Sequence, residues 1–278
     1  MKYQKYLIIA SKKDPAGINI TTQLSRFRKT DHIRGREKVN PNLFDFYLVD
    51  EEIIEDKNLD KEKINQYDFI IFASRHQSKS KKRTLSIHAP GNWRLASFGG
   101  ENRKASKTSA LFSKFMFEKL NENMDKNKLT GFQPTLEVTH HGPLIDKPCL
   151  FIEIGSTLQE WKNNKAGFVI AKTILEAIQK YKENPYREIC VGIGGNHYCQ
   201  GFNKLQLSSN AAIGHVIPKY ALPLTREMIK EAIEKTEEEL DLVLLDWKGL
   251  GNSMQREQVL KVLNELKIEY KRTSNVGK

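Results

Sequence analysis

Short apolar segments of strand length alternate with longer segments of helical periodicity, and this alternation constrains the fold more than any other feature. Residues 6–10 have the continuous apolar character of a buried strand, and residues 15–28 follow with apolar residues at helical spacing. Further strands are predicted at 44–49, 68–73, 135–139, 150–154, 189–193, 242–245 and 268–271, and helices at 109–124, 158–181, 226–238 and 254–266. This order predicts an α/β protein with a mixed, mainly parallel sheet and helices on both faces.

The chain has 278 residues, enough to bury one large core or two small ones. We predict a single α/β domain spanning residues 1–278, and a two-lobed arrangement divided near residue 130 is the alternative. No apolar run approaches the roughly 20 residues that cross a bilayer, and the first residues lead directly into a strand rather than a secretory signal. We therefore expect a cytoplasmic protein without a membrane partner.

Three cysteines, Cys149, Cys190 and Cys199, form no Cys-x-x-Cys pair. An odd count without such a pair supports neither a disulfide framework nor a thiolate zinc site. Any metal ion must therefore be held by histidine and carboxylate.

Positive charge is concentrated in one stretch of a chain whose formal net charge is +11. Residues 75–107 contain nine basic residues and one acid, and Pro90 and several glycines interrupt regular structure there. We predict a basic inserted loop at about 75–107, which either binds an anionic partner such as nucleic acid or is only a solvated surface. Trp93 and Phe98 favour the first interpretation, because aromatic side chains stack on bases or on a terminal ribose.

Histidines collect at the predicted strand ends, where ligands bind in open α/β sheets. Only His32 has the character of an ordinary loop residue. The other six are His76, His88, His140, His141, His197 and His215. Five predicted strand ends carry polar residues of this kind, and we expect them to converge on one rim.

Two acids, Glu137 and Glu153, are predicted to lie within apolar strands, where a carboxylate is costly unless it is paired or binds a metal. If the first strand continues, Glu137 and His141 share one face and are able to meet at one ion. Such His/Glu sets suit catalytic zinc, and buried salt bridges to arginine are the alternative. The glycine-rich run 192–197 lacks nucleotide-loop spacing, so it either presents His197 or lets a substrate approach closely.

Together these segments resemble the archaeal and plant type of D-aminoacyl-tRNA deacylase over residues 5–250, in the expected order. The resembling motifs are Ser74-Arg75-His76-x-Ser78, His88-x-Pro90-Gly91-Asn92, Glu137-Val138-Thr139-His140-His141-Gly142-Pro143, Glu153-Ile154-Gly155-Ser156 with Trp161, Gly194-Gly195-x-His197-Tyr198, Gly214-His215 and Asp246-x-Lys248-Gly249. The strongly basic run Lys79-Ser80-Lys81-Lys82-Arg83 is a departure that leaves individual tRNA contacts there in doubt.

The resemblance implies hydrolysis of the ester that joins a D-amino acid to the 3′ end of tRNA, zinc (two ions per chain), and a fold similar to phosphorylases and peptidyl-tRNA hydrolases. On this basis the expected metal-site residues are His88, Glu137, His141 and Glu153. The expected catalytic residues are His76, His140 and His197. The expected substrate and tRNA contacts are Arg75, Lys81, Lys82, Arg83, Asn92, Gly142, Gly194, Gly195 and Lys248. The expected partner is the acceptor end of D-aminoacyl-tRNA rather than DNA, bound by a monomer.

Three ways of activating the attacking nucleophile are compatible with these residues: a metal ion activates bound water, a histidine acts directly as general base, or a hydroxyl of the terminal ribose assists. Two other functions also remain open. A zinc-dependent peptidase or amidohydrolase would use the same histidines and glutamates but leaves the basic stretch unexplained. An RNA-binding module without catalysis leaves the two carboxylates unexplained.

Overall fold

The computed structural model describes residues 3–29, 43–185 and 187–276, and His32 lies outside these residues. The strands are β1 (Tyr6–Ser11), β2 (Phe44–Val49), β3 (Phe69–Gln77), β4 (Thr84–His88), β5 (Gln133–Leu136), β6 (Cys149–Ser156), β7 (Glu188–Ile193), β8 (Ala211–Ile217), β9 (Leu242–Leu245) and β10 (Tyr270–Arg272). The helices are α1 (Pro15–Lys29), α2 (Lys61–Ile64), α3 (Ala110–Lys126), α4 (Leu158–Trp161), α5 (Asn164–Lys180), α6 (Gln200–Ser208), α7 (Arg226–Glu234) and α8 (Ser253–Glu265).

The first sheet has the strand order β2-β1-β3-β6-β4-β5. Strands β2, β1, β3 and β6 are parallel, β4 runs antiparallel to β6, and β5 is parallel to β4. The predicted mixed, mainly parallel α/β fold is thus confirmed. One face packs against α1, α3 and α5, whereas the other is covered by α2 and by loops.

The second sheet, β10-β9-β7-β8, is entirely parallel. Helices lie on both of its faces, as expected for parallel strands: α3 and α6 on one side, α7 and α8 on the other. Because α3 also packs on the first sheet, core residues of both sheets belong to one continuous hydrophobic cluster. The single-domain arrangement stays a prediction.

Local structure departs from the sequence prediction at several places. The helix predicted over 158–181 is two helices, because the Asn163 side chain accepts a hydrogen bond from the Ala166 N–H and begins α5 there. The strand β8 and the helix α6 were not predicted. The basic stretch 75–107 is not one inserted loop, because it contains the end of β3 and the whole of β4.

The expectation that five strand ends meet on one rim is wrong for the first sheet, because β4 and β5 run against β3 and β6. After β5 the chain crosses to the second sheet instead. The N–H of Val138 donates to the His197 carbonyl, and the N–H of Thr139 donates to the Val216 carbonyl. The segment that carries Glu137 therefore joins the two sheets. Within the described residues, no helix is long and apolar enough to cross a membrane.

Candidate active site

Seven residues predicted from the sequence meet where the two sheets join, on the face of the first sheet that the long helices leave uncovered. They are His76, His88, Glu137, His140, His141, Glu153 and His197. Side chains alternate between the two faces of a strand, and His76 on β3 and Glu153 on β6 both lie on the face away from α1, α3 and α5. This alternation explains part of their proximity. Gly155 pairs with His76 across the sheet, and a Cβ there would lie 2.9 Å from the imidazole, so glycine provides the room for this ring.

Glu153 is buried between two histidines. Its Oε1 accepts a 2.6 Å hydrogen bond from the Ser74 hydroxyl, and its Oε2 lies 3.6 Å from both His76 Nδ1 and His88 Nε2. Burial raises the pKa of this carboxyl, but the nearby imidazoles of His76 and His88 outweigh burial and hold the pKa well below its usual range. The side chain is therefore an ionised carboxylate inside the protein.

Glu137 lies just after β5 rather than within a strand, and three histidines surround it. Its Oε1 is 3.3 Å from His76 Nδ1, and its Oε2 is 3.1 Å from His197 Nε2 and 3.7 Å from His140 Nε2. Burial lowers the pKa of His76, but Glu153 and Glu137 more than compensate and raise it to about 10. Both buried glutamates thus face histidines rather than the arginines of the alternative interpretation.

His88, His140 and His141 share one arrangement. The Nδ1 atom of each lies beside a backbone carbonyl: Ala89 at 3.2 Å, Val138 at 2.8 Å and Gly142 at 2.6 Å, respectively. Because a carbonyl only accepts, each Nδ1 carries the proton, and in the neutral ring Nε2 then keeps its lone pair.

The environment keeps two of these rings neutral. Burial, with the neighbouring histidines, lowers the pKa of His140 well below its usual value and lowers that of His141 to about 4. The Nε2 of His88 is buried and has no hydrogen-bond partner among the described residues. Neutral imidazoles with free lone pairs are metal ligands.

Among the described residues, two sets of three side chains bring their potential ligand atoms within 4.8 Å of one another. One set is His88, His140 and His141, and the other is His76, Glu137 and His197. A third set, in which Glu137 and Glu153 join His88, overlaps both. The predicted pairing of Glu137 with His141 on one strand face is wrong, because the strand ends at Leu136 and His141 adopts a left-handed backbone conformation with φ 44°.

Tyr198 belongs to the site although the sequence assigned it no role. Its hydroxyl lies 3.1 Å from His76 Nε2 and 3.1 Å from the Ser80 hydroxyl. It therefore joins an imidazole of the cluster to the basic segment that follows β3. Its place directly after His197 in the Gly-Gly-x-His-Tyr run was the available signal.

The sixth histidine of the strand-end group, His215, lies apart from the cluster. It is completely buried in β8, with Nδ1 3.1 Å from the Thr139 hydroxyl and Nε2 3.2 Å from the Lys235 carbonyl. Burial lowers its pKa to about 4. It is a core histidine with both nitrogens satisfied.

The predicted basic contacts are divided by the structure. Lys82 and Arg83 line a cleft of about 260 Å³ together with Gly131, Gln133 and Gln200. Lys81 and Lys248 are exposed. Arg75 instead forms a 3.0 Å ion pair with Glu52, which neutralises its charge within the protein.

Four predicted substrate contacts serve the protein's own backbone. The Asn92 amide donates to the Gly99 carbonyl, and a Cβ at Gly142 would lie 2.3 Å from the Gly100 nitrogen. Gly194 and Gly195, with φ of 106° and 81°, form the turn that presents His197 and pack against Asp246. These glycines are required by close approach of protein segments and by positive φ.

The two aromatic residues of the basic stretch also differ. Trp93 is buried, and its indole N–H donates to the Val216 carbonyl, so it is a core residue and the expected stacking role is wrong. Phe98 is 68% exposed, as a stacking surface requires.

Comparison with known proteins identifies the group to which this site belongs. The family model for D-aminoacyl-tRNA deacylase matches residues 63–271. The chain belongs to the D-aminoacyl-tRNA deacylase family. The D-aminoacyl-tRNA deacylase of Thermococcus onnurineus is 36% identical over 95% of this chain and 98% of its own length. That of Pyrococcus abyssi is 34% identical over the same shares, and that of Methanocaldococcus jannaschii is 31% identical over 92% and 94%.

A solved structure supports the same fold for this member of the deacylase family. The crystal structure of a conserved protein of unknown function superposes with a TM-score of 0.85 at 31% identity, over 98% of this chain and 96% of that one. All seven residues of the cluster lie within the part that the deacylase family model matches. The resemblance drawn from the sequence motifs is confirmed.

Proposed function

We propose that this member of the deacylase family hydrolyses the ester between a D-amino acid and the 3′ end of tRNA, releasing the amino acid and reusable tRNA. The observation that supports a hydrolase is the cluster of five histidines and two buried glutamates, in which the buried Nε2 of His88 has no hydrogen-bond partner among the described residues. A non-catalytic RNA-binding surface gains nothing from such a cluster. Because the substrate is tRNA, we place the reaction in the cytoplasm.

Zinc fits the donor set. The buried Nε2 of His88 has no partner among the described residues, and the Nδ1 atoms of His88, His140 and His141 are held by backbone carbonyls. This is the tautomer in which histidines bind metal. Carboxylates and imidazoles together suit zinc, and a three-ligand set leaves a position open for substrate.

We propose two ions per chain. The two ligand sets described above share no residue, and Glu153 lies between them with one oxygen 3.6 Å from a nitrogen of each set. His88, His140 and His141 would hold one ion, and His76, Glu137 and His197 the other. Bound zinc lowers the pKa of water to about 7 and polarises an ester carbonyl.

The protein's own groups then have distinct tasks. The carboxylate of Glu153 balances the positive charge at the centre of the cluster, and Ser74 holds it in place. Oε1 of Glu137 receives no hydrogen bond from the described residues, and we assign it to accept the proton of the attacking water. The His197 side chain, one-third exposed, marks the side from which substrate enters.

The basic segment after β3 supplies affinity for the nucleic acid. Lys82 and Arg83 line the cleft described above; Lys82 lies 5.5 Å from the ring centroid of Tyr198, and Arg83 also forms a 3.1 Å ion pair with Glu160. We propose that these two cations bind phosphates near the 3′ end of tRNA. Tyr198 joins this segment to His76 through Ser80. Phosphate binding and the reacting ester would thus be a few side chains apart.

The decisive experiment measures release of D-tyrosine and of L-tyrosine from their charged tRNAs at equal enzyme, before and after treatment with a chelator. We expect rapid loss of the D-ester, loss of the L-ester only at its spontaneous rate, inactivation by the chelator and recovery with zinc. If neither ester is cleaved faster than it hydrolyses spontaneously, the proposed function is wrong.

A further inference from the structure

The carboxyl ends of the four strands of the second sheet lie level with one another. Ile193 of β7 pairs with Ile217 of β8 and with Leu245 of β9, and Leu245 pairs with Arg272 of β10. Residues that follow these positions therefore emerge along one edge. The turn carrying His197 follows β7 at this same edge.

Cations and aromatic rings occupy this edge on both sides of His197, and we call them the carboxyl-edge surface. Its exposed members are Lys219, Tyr220, Lys248 and Arg272, and its half-buried members are Trp247 and Arg256. The Lys219 N–H donates to the Gly195 carbonyl, two residues before His197. Tyr220 is 64% exposed. On the other side, Arg272 is two strands from β7, which at normal strand spacing is about 10 Å.

Two arginines flank the Trp247 ring. The Cζ of Arg272 lies 3.7 Å from the ring centroid and that of Arg256 lies 5.1 Å away. A guanidinium over an aromatic ring is held in place while its N–H edge stays available for phosphate. This arrangement orders two cations at the protein surface without neutralising them.

The cations of this surface lack acidic partners. Among the described residues, no carboxylate forms an ion pair with Lys219, Lys248, Arg256 or Arg272. Two other cations of the same sheet and its helices are paired, Lys271 with Glu188 and Arg226 with Glu265. The positive charges of the carboxyl-edge surface are therefore available to an anionic ligand.

We propose that the carboxyl-edge surface binds the sugar-phosphate backbone of the tRNA acceptor stem, beyond the terminal nucleotide. This inference rests on the proposed function. Since the His197 side chain is one-third exposed, we take its turn as the side on which the rest of the tRNA lies when the ester is at the cluster, and this edge borders that turn with cations on both sides. Unpaired cations with stacked arginines match a chain of phosphates.

The test uses the double variant Lys219→Gln/Arg272→Gln, since both side chains are exposed and neither contacts the cluster. The matched control is Lys230→Gln/Lys261→Gln, which removes the same charge from exposed positions on α7 and α8. Binding of labelled, uncharged tRNA is followed by fluorescence anisotropy at several salt concentrations. KM and kcat for D-tyrosyl-tRNA are measured in parallel.

We expect the first variant to bind tRNA about tenfold more weakly at low salt. Its plot of log affinity against log salt should be shallower by about 1 to 2, because each lost phosphate contact removes nearly one from the slope. KM should rise with kcat unchanged. Affinity and slope equal to those of the control variant would overturn the proposal.

Uncharged tRNA keeps this test separate from the hydrolytic activity. If the unaltered protein cleaves no D-ester but the Lys219→Gln/Arg272→Gln variant still loses tRNA affinity, the proposed activity fails and the surface stands. If the D-ester is cleaved and tRNA affinity is unchanged in that variant, the surface fails and the activity stands. A loss of kcat with unchanged affinity also contradicts the surface, because it indicates a role inside the active site.

Discussion

His88 and His215 are both buried on strands, yet their surroundings differ in one respect that decides their roles. Both ring nitrogens of His215 have protein partners, the Thr139 hydroxyl and the Lys235 carbonyl. His88 has a partner only at Nδ1, and its Nε2 is buried without one among the described residues. Burial and position on a strand therefore do not distinguish a core histidine such as His215 from the metal ligand that we propose at His88, whereas an unsatisfied nitrogen does.

The same distinction extends to the neighbours of each histidine. His88 shares its surroundings with His140, His141 and an ionised Glu153, so several lone pairs and charges face one small volume. His215 contacts Trp93, a hydroxyl and a carbonyl. Buried polar atoms without partners are rare because they are costly, and a bound ion would remove that cost at His88 and nowhere near His215.

The largest expected effect comes from removing an imidazole of the first ligand set. His141→Asn is the suitable change, because asparagine tolerates the left-handed backbone at this position. We expect kcat/KM for D-tyrosyl-tRNA to fall by about a thousandfold or more and the zinc content to fall by one ion, with an unchanged circular dichroism spectrum. Full zinc content with near-normal rates would contradict the three-histidine set.

A carboxylate change tests the second ligand set. Glu137→Gln keeps the shape but removes the charge that faces His76 and His197. We expect kcat to fall by about a hundredfold, because general-base catalysis contributes on the order of 10²–10⁴. Steady-state kinetics would show this beside Glu122→Gln, an exposed helical carboxylate paired with Lys119 and Lys126, which should leave kcat unchanged.

The sequence predicted the α/β class and all seven cluster residues, because strand periodicity and costly buried acids are local signals. It did not predict the antiparallel β4, whose direction depends on pairing with β6, far along the chain. It also placed His215 with the other strand-end histidines, since the hydroxyl and carbonyl that satisfy its ring come from residues distant in sequence. Whether a buried ring nitrogen has a hydrogen-bond partner depends on contacts between distant segments, so it is known only from the tertiary structure.

Glycines and the basic stretch show the same limit. Gly142, Gly194 and Gly195 are predicted to let a substrate approach, and the structure shows that they let protein segments pack closely. Trp93 is predicted to stack on bases or ribose, and it is buried instead. A residue type at a motif position indicates that something approaches closely, and only the fold shows whether that is protein or ligand.

A smaller effect is expected from Tyr198→Phe, which removes the hydroxyl beside His76 Nε2. Groups that orient a metal-binding histidine typically contribute 10–100-fold to metal affinity. We expect zinc affinity, measured by competition with a chromogenic chelator, to fall about tenfold. Ser80→Ala is the control, since it leaves the contact between Tyr198 and His76 in place, and an equal loss in both variants would assign the effect to the basic segment instead.

The smallest effect on activity is expected from His215→Asn. This variant tests whether a histidine whose two ring nitrogens have protein partners contributes to stability but not to activity. Burial depresses the folded pKa of His215 from 6.5 to about 4, so between these values the unfolded chain binds a proton that the folded chain does not. The contribution of the neutral ring to stability is therefore complete above pH 6.5 and is lost as the pH falls towards 4. Over this range the free energy of unfolding falls by about 3 kcal/mol.

Urea unfolding of the metal-free chain provides the measurement. His215→Asn should lower the free energy of unfolding by about 2 kcal/mol at pH 7, and this difference from the unaltered protein should vanish and then reverse as the pH is lowered to about 4.5, because the loss from His215 by then exceeds it. With zinc present, kcat for the D-ester should stay within about twofold, because no ring nitrogen of His215 faces the cluster. Loss of zinc or of kcat in the folded variant would show that a satisfied histidine also supports the site, and the distinction drawn from unpartnered nitrogens would fail.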